Sequence, residues 1–85
     1  MRFILAAAFV SIAFVAEASP QCTTEPESSW MPDTAMRAKV VAAGNVIDVF
    51  KKTKGNCYEV YGRDASGKRI EIYYNPVSGD IVESH

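Results

Sequence analysis

The run Cys57–Val82, CYEVYGRDASGKRIEIYYNPVSGDIV, leaves this chain few ways to fold. Two segments rich in Tyr, Ile and Val, Cys57–Arg63 and Lys68–Tyr74, flank the tetrad Asp64-Ala65-Ser66-Gly67. β-branched and aromatic residues suit a pleated, half-buried surface. Asp64 offers a side-chain acceptor to the backbone just ahead of it, and Gly67 tolerates a positive φ. A type I turn with a bulge requires both. A second turn, Asn75 to Asp80, has Pro76 at its first corner and Gly79 at its exit, and returns the chain into Ile81-Val82. The tract therefore predicts two successive antiparallel turns.

The register follows from the first turn. With Gly67 bulged, Asp64 opposes Lys68, Gly62 opposes Ile70, Val60 opposes Ile72 and Tyr58 opposes Tyr74. That set is apolar and is expected to face a helix. The other face carries Glu59 against Tyr73, Tyr61 against Glu71 and Arg63 against Arg69. A slip of one residue would mix Ile with Glu on both faces, so the pattern fixes the register to within an even number of residues.

Upstream, Met1-Arg2 is a short positive start, Phe3 to Val15 is apolar apart from Ser11, and Ala16-Glu17-Ala18 places small residues at both cleavage-determining positions. This is the pattern of a secretory signal peptide over residues 1–18, cleaved between Ala18 and Ser19. A membrane helix is the competing reading, but the apolar run falls short of the roughly 20 residues needed to span a bilayer. Ser19-Pro20-Gln21 ahead of Cys22 lacks the features of a lipoprotein site. No membrane insertion is expected after signal removal, and the expected location is periplasmic or secreted.

A mature chain from Ser19 to His85 is one domain at most, and a chain this short buries only about 60% of its unfolded surface. It needs a staple. Two cysteines in an exported protein, Cys22 and Cys57, read as a disulfide, whose closure would stabilise the fold by roughly 4 kcal/mol in the chain-entropy model. A redox pair or metal site is the alternative, but there is no CxxC spacing and the single histidine, His85, is terminal. No metal and no cofactor are expected.

Residues 19–29 form a polar tether. Trp30 follows, expected either to pack on the first helical turn or to anchor a partner. Pro32-Asp33-Thr34 opens a helix in which Met36, Val40 and Ala43 recur at helical spacing, and Gly44-Asn45 stops it. Val46–Phe50 is the first strand. Ile47 and Val49 are expected on the core face, because the opposite choice would bury Asp48. Lys51 to Lys54 reads as a solvated edge that discourages intermolecular pairing. The expected architecture is α+β: one short helix packed on a single antiparallel three- to four-stranded sheet.

One helix covers one face, which leaves Glu59, Tyr61, Arg63, Arg69, Glu71 and Tyr73 as an open, charged and aromatic candidate protein-binding face. Ordinary sheet packing would give the same pattern. Nine basic and ten acidic side chains, a net charge of −1, are interspersed and form no basic stripe, so nucleic acid is not an expected partner. Catalysis is not expected either. His85 sits at a terminus expected to fray, both cysteines are committed, and Glu59 and Glu71 lie on a surface that would not separate their titrations.

CYEVYG, DxxGKRIEIYY and NPVSGDIV, with Trp30-Met31 and a short helix upstream, resemble the PepSY domain of bacterial envelope and secreted proteins, over Trp30 to Val82. The resemblance implies the same helix-on-sheet arrangement for a domain over residues 30–85. It also implies a role: such domains occur in propeptides of thermolysin-like metallopeptidases, which they are thought to inhibit or chaperone, and as stand-alone exported proteins. The expected function is a monomeric, exported, non-catalytic protein-binding module that modulates an envelope or secreted protein such as a protease. The alternative is a periplasmic sensor or carrier of a small ligand or ion.

Overall fold

A computed structural model describes residues 19–85; the expected signal segment lies outside the described residues. A 3-10 turn, Glu27–Ser29, leads to helix α1, Asp33–Ala42, and then to strands β1 (Val46–Lys52), β2 (Tyr58–Arg63), β3 (Arg69–Tyr74) and β4 (Ile81–Ser84). The strands form one antiparallel sheet in the order β1-β2-β3-β4. The fold is the α+β arrangement that the sequence predicts, with four strands.

The β2–β3 register is the one set by the turn, from Tyr58 opposite Tyr74 to Arg63 opposite Arg69. Asp64 Oδ1 accepts from the Ser66 amide (3.0 Å), the Ser66 hydroxyl (2.7 Å) and the Lys68 amide (2.9 Å), while Gly67 sits at φ +85°. In the second turn Asn75 Oδ1 accepts from the Val77 amide at 2.9 Å, and the Gly79 amide closes on the Asn75 carbonyl at 2.7 Å.

Met36 and Val40 of α1 are fully buried against Tyr58, Val60, Ile72 and Tyr74. The rest of the helical stripe stays wet: Ala43 is exposed and Val41 is 59% exposed. A helix of three turns cannot stand alone, and polar contacts help hold it. Lys39 Nζ donates to the Gly79 carbonyl at 2.6 Å and the Arg37 guanidinium lies 4.5 Å over the Phe50 ring. At the C-terminus the Gly44 and Asn45 amides reach the Val41 and Val40 carbonyls, a Schellman closure. Trp30 takes the packing role. Its ring meets Tyr58 edge-on at 5.5 Å, its indole N–H donates to the Glu25 carbonyl, and the Tyr58 hydroxyl donates to the Met31 carbonyl at 2.7 Å.

Strand β1 departs from its expected alternation. The pairing steps from Ile47 opposite Gly62 to Val49 opposite Tyr61, so Asp48 is an extra, bulged residue. A bulge shifts every later side chain to the opposite face. Ile47 and Phe50 therefore both pack on the core, and Val49 is 48% exposed. The bulge keeps Asp48 out of the core while turning the large Phe50 inward, which strict alternation could not do. The strand also lies very close to β2, since a Cβ on Gly62 would overlap the Val46 carbonyl oxygen. Gly62→Ala is expected to destabilise by about 1–3 kcal/mol, because backbone must move to admit the methyl. A urea melt indistinguishable from wild type would contradict that close approach.

Candidate functional site

Odd-numbered positions of β2 and β3 point away from α1, and this outer face is not bare. Cys57 lies on it and is bonded to Cys22, the two Cα atoms 5.1 Å apart. The bond draws residues 19–23 across the end of the sheet. The Cys22 amide donates to the Gly55 carbonyl (2.9 Å), Asn75 Nδ2 to the Cys22 carbonyl (3.1 Å), and Asn56 Nδ2 to the Thr23 carbonyl (3.3 Å). The Pro20 carbonyl oxygen sits 3.2 Å from Cys57 Sγ, and the Ser19 hydroxyl reaches the Tyr73 phenol. The expected tether is thus a strap.

The strap corrects the expected site. Glu59 and Tyr73 are 3% and 7% exposed and are not available to a partner. Alternation correctly places them away from the helix but cannot show that they are buried there, nor that Ser19, remote in sequence, returns to Tyr73. Tyr61, Arg63 and Arg69 remain exposed and Glu71 is half-buried.

Beneath the strap is a polar cluster. Burial pushes the Glu59 titration up, but interactions with the Glu71 carboxyl and the Tyr73 and Tyr61 phenols, with the charge of Lys51, outweigh it and hold the group below the usual carboxylate range. Lys51 Nζ stands 3.5 Å from Glu59 Oε1 and 5.4 Å from the Tyr61 ring centre. The phenols respond in the opposite sense. Tyr61 is raised by Glu71 and Glu59, and Tyr73 is pushed up to about 12, chiefly by burial and then by Glu59. Both stay protonated at neutral pH and serve only as neutral hydroxyls.

Beyond the strap the outer face opens. Val46, Val49 and Tyr61 are 49%, 48% and 37% exposed, with Val49 directly opposite Tyr61 and Val46 opposite Arg63. Beside them a hollow of about 330 Å³ is lined by Asp48, Tyr61, Arg69, Glu71 and His85 over a floor of Gly62 and Ile70. Arg63 Nη2 lies 3.5 Å from Asp48 Oδ1 at its rim. Sequence reasoning misses Val46, Val49, Asp48 and His85. Val49 depends on the bulge, which turns it outward, and Asp48 is the bulged residue itself, whereas Val46 precedes the bulge. His85 does not fray: its amide and carbonyl pair with the Glu71 carbonyl and amide at 2.8 and 3.0 Å, and its ring meets Glu83 at 2.9 Å. Among the described residues no group of three His, Cys, Asp or Glu side chains is placed to hold a metal ion, and no helix is long and apolar enough to cross a membrane.

The family model described as a peptidase propeptide and YPEB domain matches residues 2–85. No curated protein and no solved structure matches the chain.

Proposed function

The chain belongs to the PepSY family, and from that premise we propose that it is an exported, non-catalytic module that binds and restrains a peptidase. The family is one of peptidase propeptide domains, and such modules act by contact. The observation that carries the reading is the exposed apolar pair Val49 and Tyr61, with Val46 alongside, set among Arg63, Arg69 and Glu71 on the part of the outer face that the strap leaves open. A partly apolar centre with a charged rim is the anatomy of a protein-binding patch, and Tyr and Arg are the residue types that most often carry interface energy. The hollow beside Tyr61 has charges of both signs on its wall and would accept one side chain of a partner.

Peptidases secreted by the same cell, each assayed with increasing amounts of the protein, provide the test. One of them should be inhibited, and the double variant Val49→Arg with Tyr61→Ala should weaken that inhibition at least tenfold while its thermal melt stays within a few degrees. Both sites are on the exposed side of the sheet, so the fold should tolerate the change. Unaltered activity of every peptidase in the presence of the wild-type protein would refute the inhibitory reading. Undiminished inhibition by the double variant would move the contact away from this face.

A further inference from the structure

Glu59 poses a problem that the described side chains leave unsolved. It is 3% exposed, and its two oxygens are unequally served. Oε1 faces Lys51, whereas Oε2 is buried with no hydrogen-bond partner among the described residues. The phenols of Tyr61 and Tyr73 and the Glu71 carboxyl stand close enough to influence Glu59, but none is in bonding geometry with Oε2. The local charge is also unbalanced. Glu59 and Glu71 place two carboxylates in the cluster, and Lys51 Nζ faces Glu59. From β4, Glu83 stands opposite Tyr73 and is engaged with His85. A buried carboxylate oxygen without a donor is costly, and a cationic N–H is the partner that relieves it most.

The strap brings Ser19, whose backbone nitrogen signal cleavage would free, toward this corner. Pro20 is pinned against Cys57, and Ser19 immediately ahead of it touches Tyr73, the cross-strand neighbour of Glu59. Before processing, that nitrogen is a neutral amide. Cleavage after Ala18 turns it into an α-ammonium group with three donors. We propose that the α-ammonium group of mature Ser19 is the missing partner of Glu59, so that signal removal locks the strap onto the sheet. The proposal rests on reading residues 1–18 as a signal peptide cleaved after Ala18. It is independent of the peptidase-binding reading. In consequence, the precursor is the less stable form and the processed chain the more stable one, which suits a protein that must cross a membrane unfolded.

The sign of the pH dependence is fixed. A partner that favours the charged amine raises its pKa in the folded state above the unfolded value of about 7.7–8.0. The added stability is full below that value and is lost as pH rises through the folded pKa.

Cys22 makes the test accessible. The tripeptide Ser19-Pro20-Gln21, bearing either a free or an acetylated amine, can be ligated to a chain that starts at Cys22, and the product oxidised. At pH 7 acetylation should lower the folding equilibrium constant about ten- to hundredfold, the range for a hydrogen bond to a charged group. The penalty should shrink at alkaline pH and be absent in Glu59→Gln. Nitrogen-15 at Ser19 should report an α-amino pKa above 8 in the folded protein, a reading that needs no variant should Glu59→Gln fail to fold. Equal stability of the two forms, the same penalty in Glu59→Gln, or an α-amine titrating at its ordinary value would overturn the lock. Mass spectrometry of the exported protein should place its N-terminus at Ser19. A different N-terminus would overturn the lock through its cleavage premise and leave the peptidase-binding reading intact.

Discussion

Cys57→Ser is expected to lower the unfolding free energy by about 2–5 kcal/mol, the range for removing a native disulfide from a small secreted domain. Two effects combine. The bond closes a loop with a sequence separation of 35, so its loss returns that entropy to the unfolded chain. It also holds the strap in place: without it residues 19–23 are tied to the sheet by hydrogen bonds alone, among them those with Gly55, Asn75 and Asn56. Cys22→Ser, Cys57→Ser and the reduced wild-type protein should therefore melt together in urea, well below the oxidised protein. Two free thiols on the native protein, or midpoints that coincide with and without reductant, would sink this account.

The second large effect lies on the helix side. Met36→Ala and Ile72→Ala should each cost about 2–5 kcal/mol, because Met36 is fully buried, Ile72 is 5% exposed, and both leave cavities between α1 and the sheet. Val49→Ala should fall within about 0.5 kcal/mol of wild type, as surface changes usually do. Phe50→Ala supplies the sharper comparison. Strict alternation along β1 would make Val49 the buried residue and Phe50 the exposed one, whereas the bulge at Asp48 reverses them. Urea melts should thus rank Phe50→Ala as far more damaging than Val49→Ala. The reverse order would mean that β1 pairs without its bulge.

These contrasts show which parts of the molecule were legible from the chain alone. The β2–β3 hairpin was, residue for residue, because its information is local. Asp64 and Gly67 dictate the turn, the turn dictates which residues face each other, and Val60, Ile72 and their neighbours agree with it in apolar pattern. The α1 stop at Gly44-Asn45 and the Cys22–Cys57 pair were legible for the same kind of reason: a backbone requirement in the one, the absence of any competing thiol in the other. The family was legible too, since its motifs lie on this hairpin and the turns around it.

The tertiary structure decided what the outer face is. The bulge at Asp48 has no local signature in VIDVF. It arises where the packing of Ile47 and Phe50 and the solvation of Asp48 are satisfied together, and it is what brings Val49 beside Tyr61. The contact of Ser19 on Tyr73 depends on a segment far away in sequence, carried there by a covalent bond. His85 belongs to the ladder only because the second turn aims β4 back along β3 as far as Glu71. Turn chemistry and periodicity specify neighbours within a few residues and hence the register and the buried face. Which side chains of the other face meet solvent depends on contacts between segments that share no local pattern, and those are fixed only when the whole chain closes.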